Sequence, residues 1–388
     1  MDLFEQFESM RHWSDEEKIV IDQVTKLADQ EFKPRADKYA ENAEFPWENL
    51  NAIKELGLNG ICIPEKFGGS QISYRLFTEI AYIISQACAA TGIIYGTNSA
   101  VGHPILQFGN EQQKERFLPR LASGSLGALA ITESEGGSDI SRMKTTFKPD
   151  GDDIIINGEK IFITTGDVAD FVLLFGKWTE HDGKGSPLTA IVLEKGTPGF
   201  EVPRLEKKMG MSASSTATLS FIDCRVSKDN VINGVCGGLP ILLYTLNKSR
   251  PSVAANALGI AKAAFDDGLE YASERKIGKK VVMDFQYNQY LMADYANDII
   301  STKALLDYVA RLIDVGAADV GAASSMIKVK ATDLCMKLTT DVVQLFGGGG
   351  YTTEYRAERL MREAKITQIW EGTNQVNRGV IANSLIQN

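Results

Sequence analysis

Apolar positions along the chain follow three successive rhythms. From 1 to about 125 they recur at helical spacing. Val20, Val24, Leu27 and Ala28 share one helix face, and Ser14 with Glu17 marks the helix start as a capping box. A Pro/Gly break from Pro64 to Gly69 precedes a second apolar helix, predicted from about Leu76 to Ala90. From about 126 to 236 short strands take over. Ile154–Ile156 and Lys160–Ile163 flank Asn157-Gly158, a pair suited to the positive φ angles of a two-residue turn, which predicts a hairpin. Phe171–Phe175, Leu188–Leu193 and Thr216–Val226 are further strand candidates separated by Gly, Pro and Asp, and their spacing fits a small antiparallel sheet or barrel. From about 237 long helices return at Val253–Lys276, Gln286–Asp314 and Ala318–Phe346, with Gly347–Gly350 stopping the last. Long helices with short connectors predict an antiparallel bundle.

The expected organisation is an N-terminal helical domain over 1–125, a β domain over 126–236 and a C-terminal helical bundle over 237–388, an α fold with a central β domain. There is no internal repeat. A length of 388 residues agrees with two or three units, and 44% hydrophobic residues suffice for a large core. The net charge of −9, without a basic block, argues against a nucleic-acid surface. No apolar run approaches the ~18 residues of a membrane span. The acidic N-terminus lacks a signal core or an Arg-rich transit pattern, so a cytoplasmic protein is expected, although a mitochondrial matrix enzyme with its presequence removed would read the same. Five scattered cysteines without a CxxC indicate reduced thiols rather than a disulfide framework or a zinc site.

Candidate chemistry narrows by elimination. The histidines are His12, His103 and His181, so HExxH is missing, and neither a P-loop, a GxGxxG after a strand nor a GxSxG elbow occurs. No metal is expected. Carboxylate chemistry with a large cofactor is what remains for an enzyme. The strongest local signal is Ile369-Trp370-Glu371-Gly372-Thr373-Asn374-Gln375. A glutamate between Trp and Gly, just before a helix, would sit in a partly apolar pocket, where burial raises its pKa toward that of a base working near neutrality. Gly372 permits close approach of a ligand, and Thr373 reads as a helix start. A surface turn with a capping Thr accounts for the same residues and, on composition alone, is the simpler reading.

A wider comparison of segments favours the first reading. Gln344-Leu-Phe-Gly-Gly-Gly-Gly-Tyr351, Arg359–Ile366 and Gln368–Gln375 closely resemble the acyl-CoA dehydrogenase family, as do Ile131-Thr-Glu-Ser-Glu-Gly-Gly-Ser-Asp139, Ile155–Thr164 and Arg250–Ala261, all in the family's order. The resemblance spans about residues 15 to 385. It implies FAD as cofactor, an acyl-CoA substrate, an electron-transfer flavoprotein as electron acceptor, a homotetramer, and a β-barrel domain followed by a four-helix bundle. It also implies that Glu371 takes the thioester's α-proton while the β-hydrogen leaves as hydride to flavin N5. The thioester carbonyl would be held by the Glu371 amide and a flavin ribityl hydroxyl. Acyl-CoA oxidase, enoyl-CoA reductase and a non-catalytic acyl-CoA-binding homologue remain as alternatives.

Carried over by position, Thr132 and Thr164 would hydrogen-bond the flavin ring and Phe162 would stack near it, with Leu129, Ile131, Gly137 and Ile163 as further cofactor positions. Ser138 would touch both cofactor and CoA. Arg275, Phe285 and Gln286, together with Gln344, Leu345, Gly347 and Gly348, would reach the FAD of a neighbouring subunit, and Thr373 and Gln375 complete the cofactor set. Arg250, Asn247, Tyr95, Trp370 and Gly372 are the remaining substrate positions. Two departures stand out. The family's Arg-x-x-Phe-Gly is Arg275-Lys-Ile-Gly278-Lys279 here, and its Pro-Gly-Ala loop is Ser134-Glu135-Gly136. Thr91 stands where glutaryl-type relatives carry an Arg, which disfavours a dicarboxylic thioester. Ile93, Ile94, Tyr95 and Thr97 fit a short, branched or cyclic acyl group, or else ordinary core packing.

Overall fold

The computed structural model describes residues 3–386. Its N-terminal helices are α1 (Leu3–Ser9), α2 (Asp15–Leu27), α3 (Lys33–Asn42), α4 (Trp47–Glu55), α5 (Tyr74–Ala87), α6 (Ala89–Phe108) and α7 (Glu111–Ala122). The capping box forms as expected: the Ser14 hydroxyl accepts the Glu17 amide, and the Glu17 carboxylate accepts the Ser14 amide. The single apolar helix predicted from Leu76 to Ala90 is instead two, because Cys88 turns to an extended backbone (φ −147°, ψ 101°) between α5 and α6. α5 is buried on almost every side, as a helix apolar all round must be.

The central strands are β1 (Gly127–Ala130), β2 (Thr146–Asp150), β3 (Asp153–Thr164), β4 (Phe171–Trp178), β5 (Leu188–Glu194), β6 (Phe200–Leu205), β7 (Thr216–Ser227) and β8 (Val231–Ile232). Pairing runs β6-β7-β3-β2-β4-β5-β8, and among the described residues no pairing closes this path. Most neighbours are antiparallel, but β1 and β2 both run parallel to β4. The predicted hairpin at Asn157-Gly158 does not form. β3 passes straight through these residues, so that Ile154 pairs with Val226 and Lys160 with Leu219 on the same partner strand. Asn157-Gly158 makes a bulge instead, with the register slipping between Ile156 and Gly158. Glycine is required there because a Cβ would come within 2.7 Å of the Thr145 Cα. The tight turn lies at Gly151-Asp152, where Gly151 has φ +63° and Asp150 pairs with Asp153.

The C-terminal part is built on α8 (Gly238–Glu274), a 37-residue helix. It starts well before the predicted Val253 and runs through Pro251. The packing of Ile241, Leu242 and Leu246 against the β-domain core outweighs the hydrogen bond that proline removes. Arg250 therefore lies inside a helix rather than at its start. Every residue from Ser249 to Ala261 is buried, making α8 the spine on which α5, α6, α9 (Gln286–Asp314) and α10 (Gly321–Phe346) pack. A short ribbon of β9 (Lys276–Ile277) and β10 (Lys280–Val281) links α8 to α9. Gly347 (φ +62°) ends α10, and α11 (Ala357–Thr367) and α12 (Asn374–Ile386) complete the bundle. The five cysteines are free thiols, three of them buried. Among the described residues no side-chain group is arranged to hold a metal ion, and no helix is long and apolar enough to cross a membrane.

Candidate active site

Glu371 sits in the turn between α11 and α12 with φ +53°, followed by Gly372 at φ +82°. A left-handed glutamate costs on the order of 1–3 kcal/mol and persists only where its surroundings over-determine it. They do so here. The Gly372 carbonyl accepts Lys328 Nζ at 2.9 Å and Asn377 Nδ2 at 2.8 Å. Lys328 Nζ also donates to Asn374 Oδ1 at 2.7 Å. Thr373 caps α12 by accepting the Val376 amide at 3.2 Å, so the predicted helix start is present.

The Glu371 carboxylate faces the buried stretch of α8. Ser249 Oγ donates to Glu371 Oε2 at 2.5 Å, and Arg250 Nε reaches the Glu371 carbonyl at 3.4 Å. Arg250 Nη1 is steadied by Asn247 Oδ1 (3.3 Å) and Ser325 Oγ (3.1 Å). Burial pushes the Glu371 carboxyl above the ordinary glutamate range; the Ser249 bond and the charges of Arg250 and Lys328 pull the other way and lose. The turn is half-buried and carries the capping Thr of the alternative reading, but its carboxylate points inward to α8 rather than into solvent. A desolvated carboxylate with a raised pKa is equipped to accept a proton from a weak carbon acid. Beside it, the Trp370 Nε1 donor is buried without a partner among the described residues.

A second group of expected positions gathers where β1 runs out beside β3. Ile161 N donates to Thr132 O at 2.9 Å, bringing Leu129, Ile131 and Thr132 alongside Phe162 and Thr164. Phe162 is 59% exposed with φ +60°, held out of the sheet by the second bulge in β3. Packing in the core is thus excluded for Phe162. It is the fate of Ile163, whose side chain is 2% exposed in the β-domain core and whose backbone alone is left for a ligand. Gly137 and Ser138 lie exposed on the adjoining loop.

A third group lies at the other end of the bundle. Arg275 caps α8, Phe285 and Gln286 open α9, and Gln344, Leu345, Gly347 and Gly348 close α10. Tyr271 stacks on Phe346 with ring centroids 4.0 Å apart and ties these ends together. The helix from Ser249 to Arg275 spans about 39 Å at ~1.5 Å per residue, so within one chain this group stands far from Glu371. Gln375 is exposed on α12. Tyr95 is buried, its hydroxyl donating to Leu58 O at 3.3 Å, and it lines a small cavity with Phe77, Asn98 and His103. Thr91 is locked to Asn49 and Cys88, and Ile93 and Ile94 are buried, so core packing accounts for part of this helix.

Sequence reasoning missed Ser249, Lys328 and the buried pair Lys160–Glu133. Ser249 directly precedes a segment already singled out, and Lys328 interrupts the apolar face of α10, so both left a signal.

Comparison with known proteins places these observations in context. Models described as the N-terminal, middle and C-terminal domains of acyl-CoA dehydrogenase match residues 14–125, 128–224 and 237–386. A short-chain-specific acyl-CoA dehydrogenase of Clostridium acetobutylicum is 37% identical over 96% of this chain and 98% of its own. A cyclohex-1-ene-1-carbonyl-CoA dehydrogenase of Geobacter metallireducens is 36% identical over 97% of this chain and 100% of its own. A chain from a structural study of the electron transferring flavoprotein of Acidaminococcus fermentans superposes with a TM-score of 0.94 at 36% identity, covering all of both chains.

Proposed function

The chain belongs to the acyl-CoA dehydrogenase family, and from that premise we propose that Glu371 is the base of an FAD-dependent α,β-dehydrogenation of an acyl-CoA thioester. The reaction and the cofactor are those of the family, and the residues present fit FAD. The exposed Phe162 ring rises from the stretch of β3 that carries Thr164 and runs beside Thr132, and Trp370 offers a buried donor without a partner among the described residues. FAD, when bound, supplies the acceptor for the hydride leaving the β-carbon. Glu371 takes the α-proton: the Cα–H bond breaks, its electron pair becomes the new double bond, and the carboxylate ends as the acid. The Glu371 amide has no acceptor among the described residues and is free to donate to the thioester carbonyl, where charge develops as the proton leaves. Arg250 holds the Glu371 main chain from α8, and Ser249 orients the carboxylate.

The observation that carries this proposal is the left-handed, enclosed Glu371 with its raised pKa. Its first consequence is kinetic. The base works only when ionised, so kcat/KM falls on the acid side of the Glu371 pKa, and this limb is expected above the ~4.3 of a free glutamate. A pH series of steady-state rates checks it; a limb at or below that value would remove the desolvated base.

Substrate class and partners belong to the same proposal. The short-chain and cyclic specificities in the names of the relatives support a short, branched or alicyclic acyl group. Anaerobic titration with a panel of acyl-CoA thioesters tests it: bleaching of the yellow protein by this class is expected, and bleaching only by long-chain thioesters would refute it. An electron-transfer flavoprotein is the proposed acceptor, supported by the likeness to the Acidaminococcus chain. The third residue group, exposed apart from the half-buried Leu345 and about 39 Å from Ser249 along α8, is proposed to complete a neighbour's cofactor site in a homotetramer. The relatives are bacterial, and a cytoplasmic location is proposed with them. Three domains are proposed at 1–125, 126–236 and 237–388, supported by the gaps between α7 and β1 and between β8 and α8.

A further inference from the structure

Lys328 is completely buried on α10, yet carries an amine whose hydrogen-bond partners, among the described residues, lie in and just after the turn that holds Glu371. Burying an ammonium is costly unless its charge is used. Hydrogen bonding alone does not account for it. The Gly372 carbonyl already accepts Asn377 Nδ2 at 2.8 Å, and the Thr332 hydroxyl, which donates to Lys328 O at 2.8 Å, already accepts Asn374 Nδ2 at 2.9 Å, so the turn and the Asn374 side chain are both held by neutral groups without the lysine. What Lys328 adds is a positive charge directly behind the Glu371–Gly372 turn.

We propose that Lys328 is a positioning residue for the dehydrogenation: its ammonium clamps the left-handed turn and sets the charge environment in which Glu371 ionises. The inference rests on Glu371 being the base. The charged groups around Lys328 come from every side: Glu371 from the turn, Arg250 from α8, Asp333 from its own helix and Arg378 from α12. Burial draws the Lys328 amine down to about 7, with Arg250 and Arg378 acting in the same direction and Glu371 and Asp333 opposing them. Lys328 in turn draws the Glu371 carboxyl downward, against the burial that raises it. Without the cation, Glu371 would hold its proton to a higher pH and stand idle over more of the working range.

The test compares Lys328→Gln and Lys328→Met with the wild type in the FAD-loaded enzyme, reading the pH profile of kcat/KM beside the thermal midpoint and flavin content. Both neutral variants are expected to move the acid limb upward by roughly one pH unit. Lys328→Gln, which keeps a donor to the turn, should retain more of the plateau rate than Lys328→Met. Lys328→Arg should leave the limb in place. A folded, yellow Lys328→Gln enzyme with its limb at the wild-type pH would overturn the proposal. So would loss of folded protein in both neutral variants, which would make Lys328 a folding residue. A Glu371→Gln control separates the two claims: if that variant turns over normally, the base has been misassigned whatever Lys328 does.

Discussion

Glu371→Gln is expected to fold and take up FAD normally while bleaching with an acyl-CoA ~10²–10⁴-fold more slowly than the wild type. Glutamine has the same size and keeps an oxygen for the Ser249 hydroxyl, so the enclosing contacts survive. The left-handed turn is also preserved, because Lys328, Asn377 and Thr373 act on main-chain and neighbouring atoms rather than on the carboxylate. What disappears is the only function that an amide cannot supply, acceptance of the α-proton. Anaerobic stopped-flow absorbance in the oxidised-flavin band reads this directly. Near-normal bleaching by a well-folded variant would place the base elsewhere.

The second large effect is on stability. Lys160 and Glu133 form an ion pair at 2.7 Å with side chains 0% and 6% exposed, and Lys160 also donates to Ile131 O at 2.9 Å. Burial alone would raise the Glu133 carboxyl, but the Lys160 charge and its hydrogen bonds hold it below the ordinary range. The stabilisation it confers is therefore complete above the unfolded glutamate pKa and is lost as the pH falls through the depressed folded value. Glu133→Ala leaves a buried ammonium unpaired, at a cost of roughly 3–5 kcal/mol. It also frees the amide of Thr145, which the Glu133 carboxylate anchors at 3.0 Å, and so slackens the loop that presents Thr132 and Ser138. A fall of several degrees in the thermal midpoint is expected, together with weaker FAD binding. Unchanged values for both would show that Lys160 neutralises without penalty.

The helical rhythm of both ends was legible because amphipathic periodicity is local, and the capping box at Ser14 formed as read. The Asn157-Gly158 turn was misread for an equally local reason. That dipeptide suits a hairpin in isolation, but β7 offers a partner along the whole of β3, and a bulge costs less than ending the strand. Parallel pairing of β1 and β2 with β4 joins segments far apart in sequence, which no window of residues shows. The site divided the same way. Glu371 lay in a dense motif, whereas Ser249 and Lys328 come to it from two other helices, and their roles follow only from the packing of α8 against α10 and the turn.

The length of α8 carries a last implication. On the proposed roles, a rod with a substrate-facing residue near its head and a cofactor-facing cluster at its foot cannot bend round to serve both needs at one spot. On the proposed assembly each molecule is a lender as well as an owner, and no copy is self-sufficient. Selection at the foot of the rod would then be felt as catalysis in a different copy, so that residues remote from any chemistry in their own chain are answerable for chemistry next door.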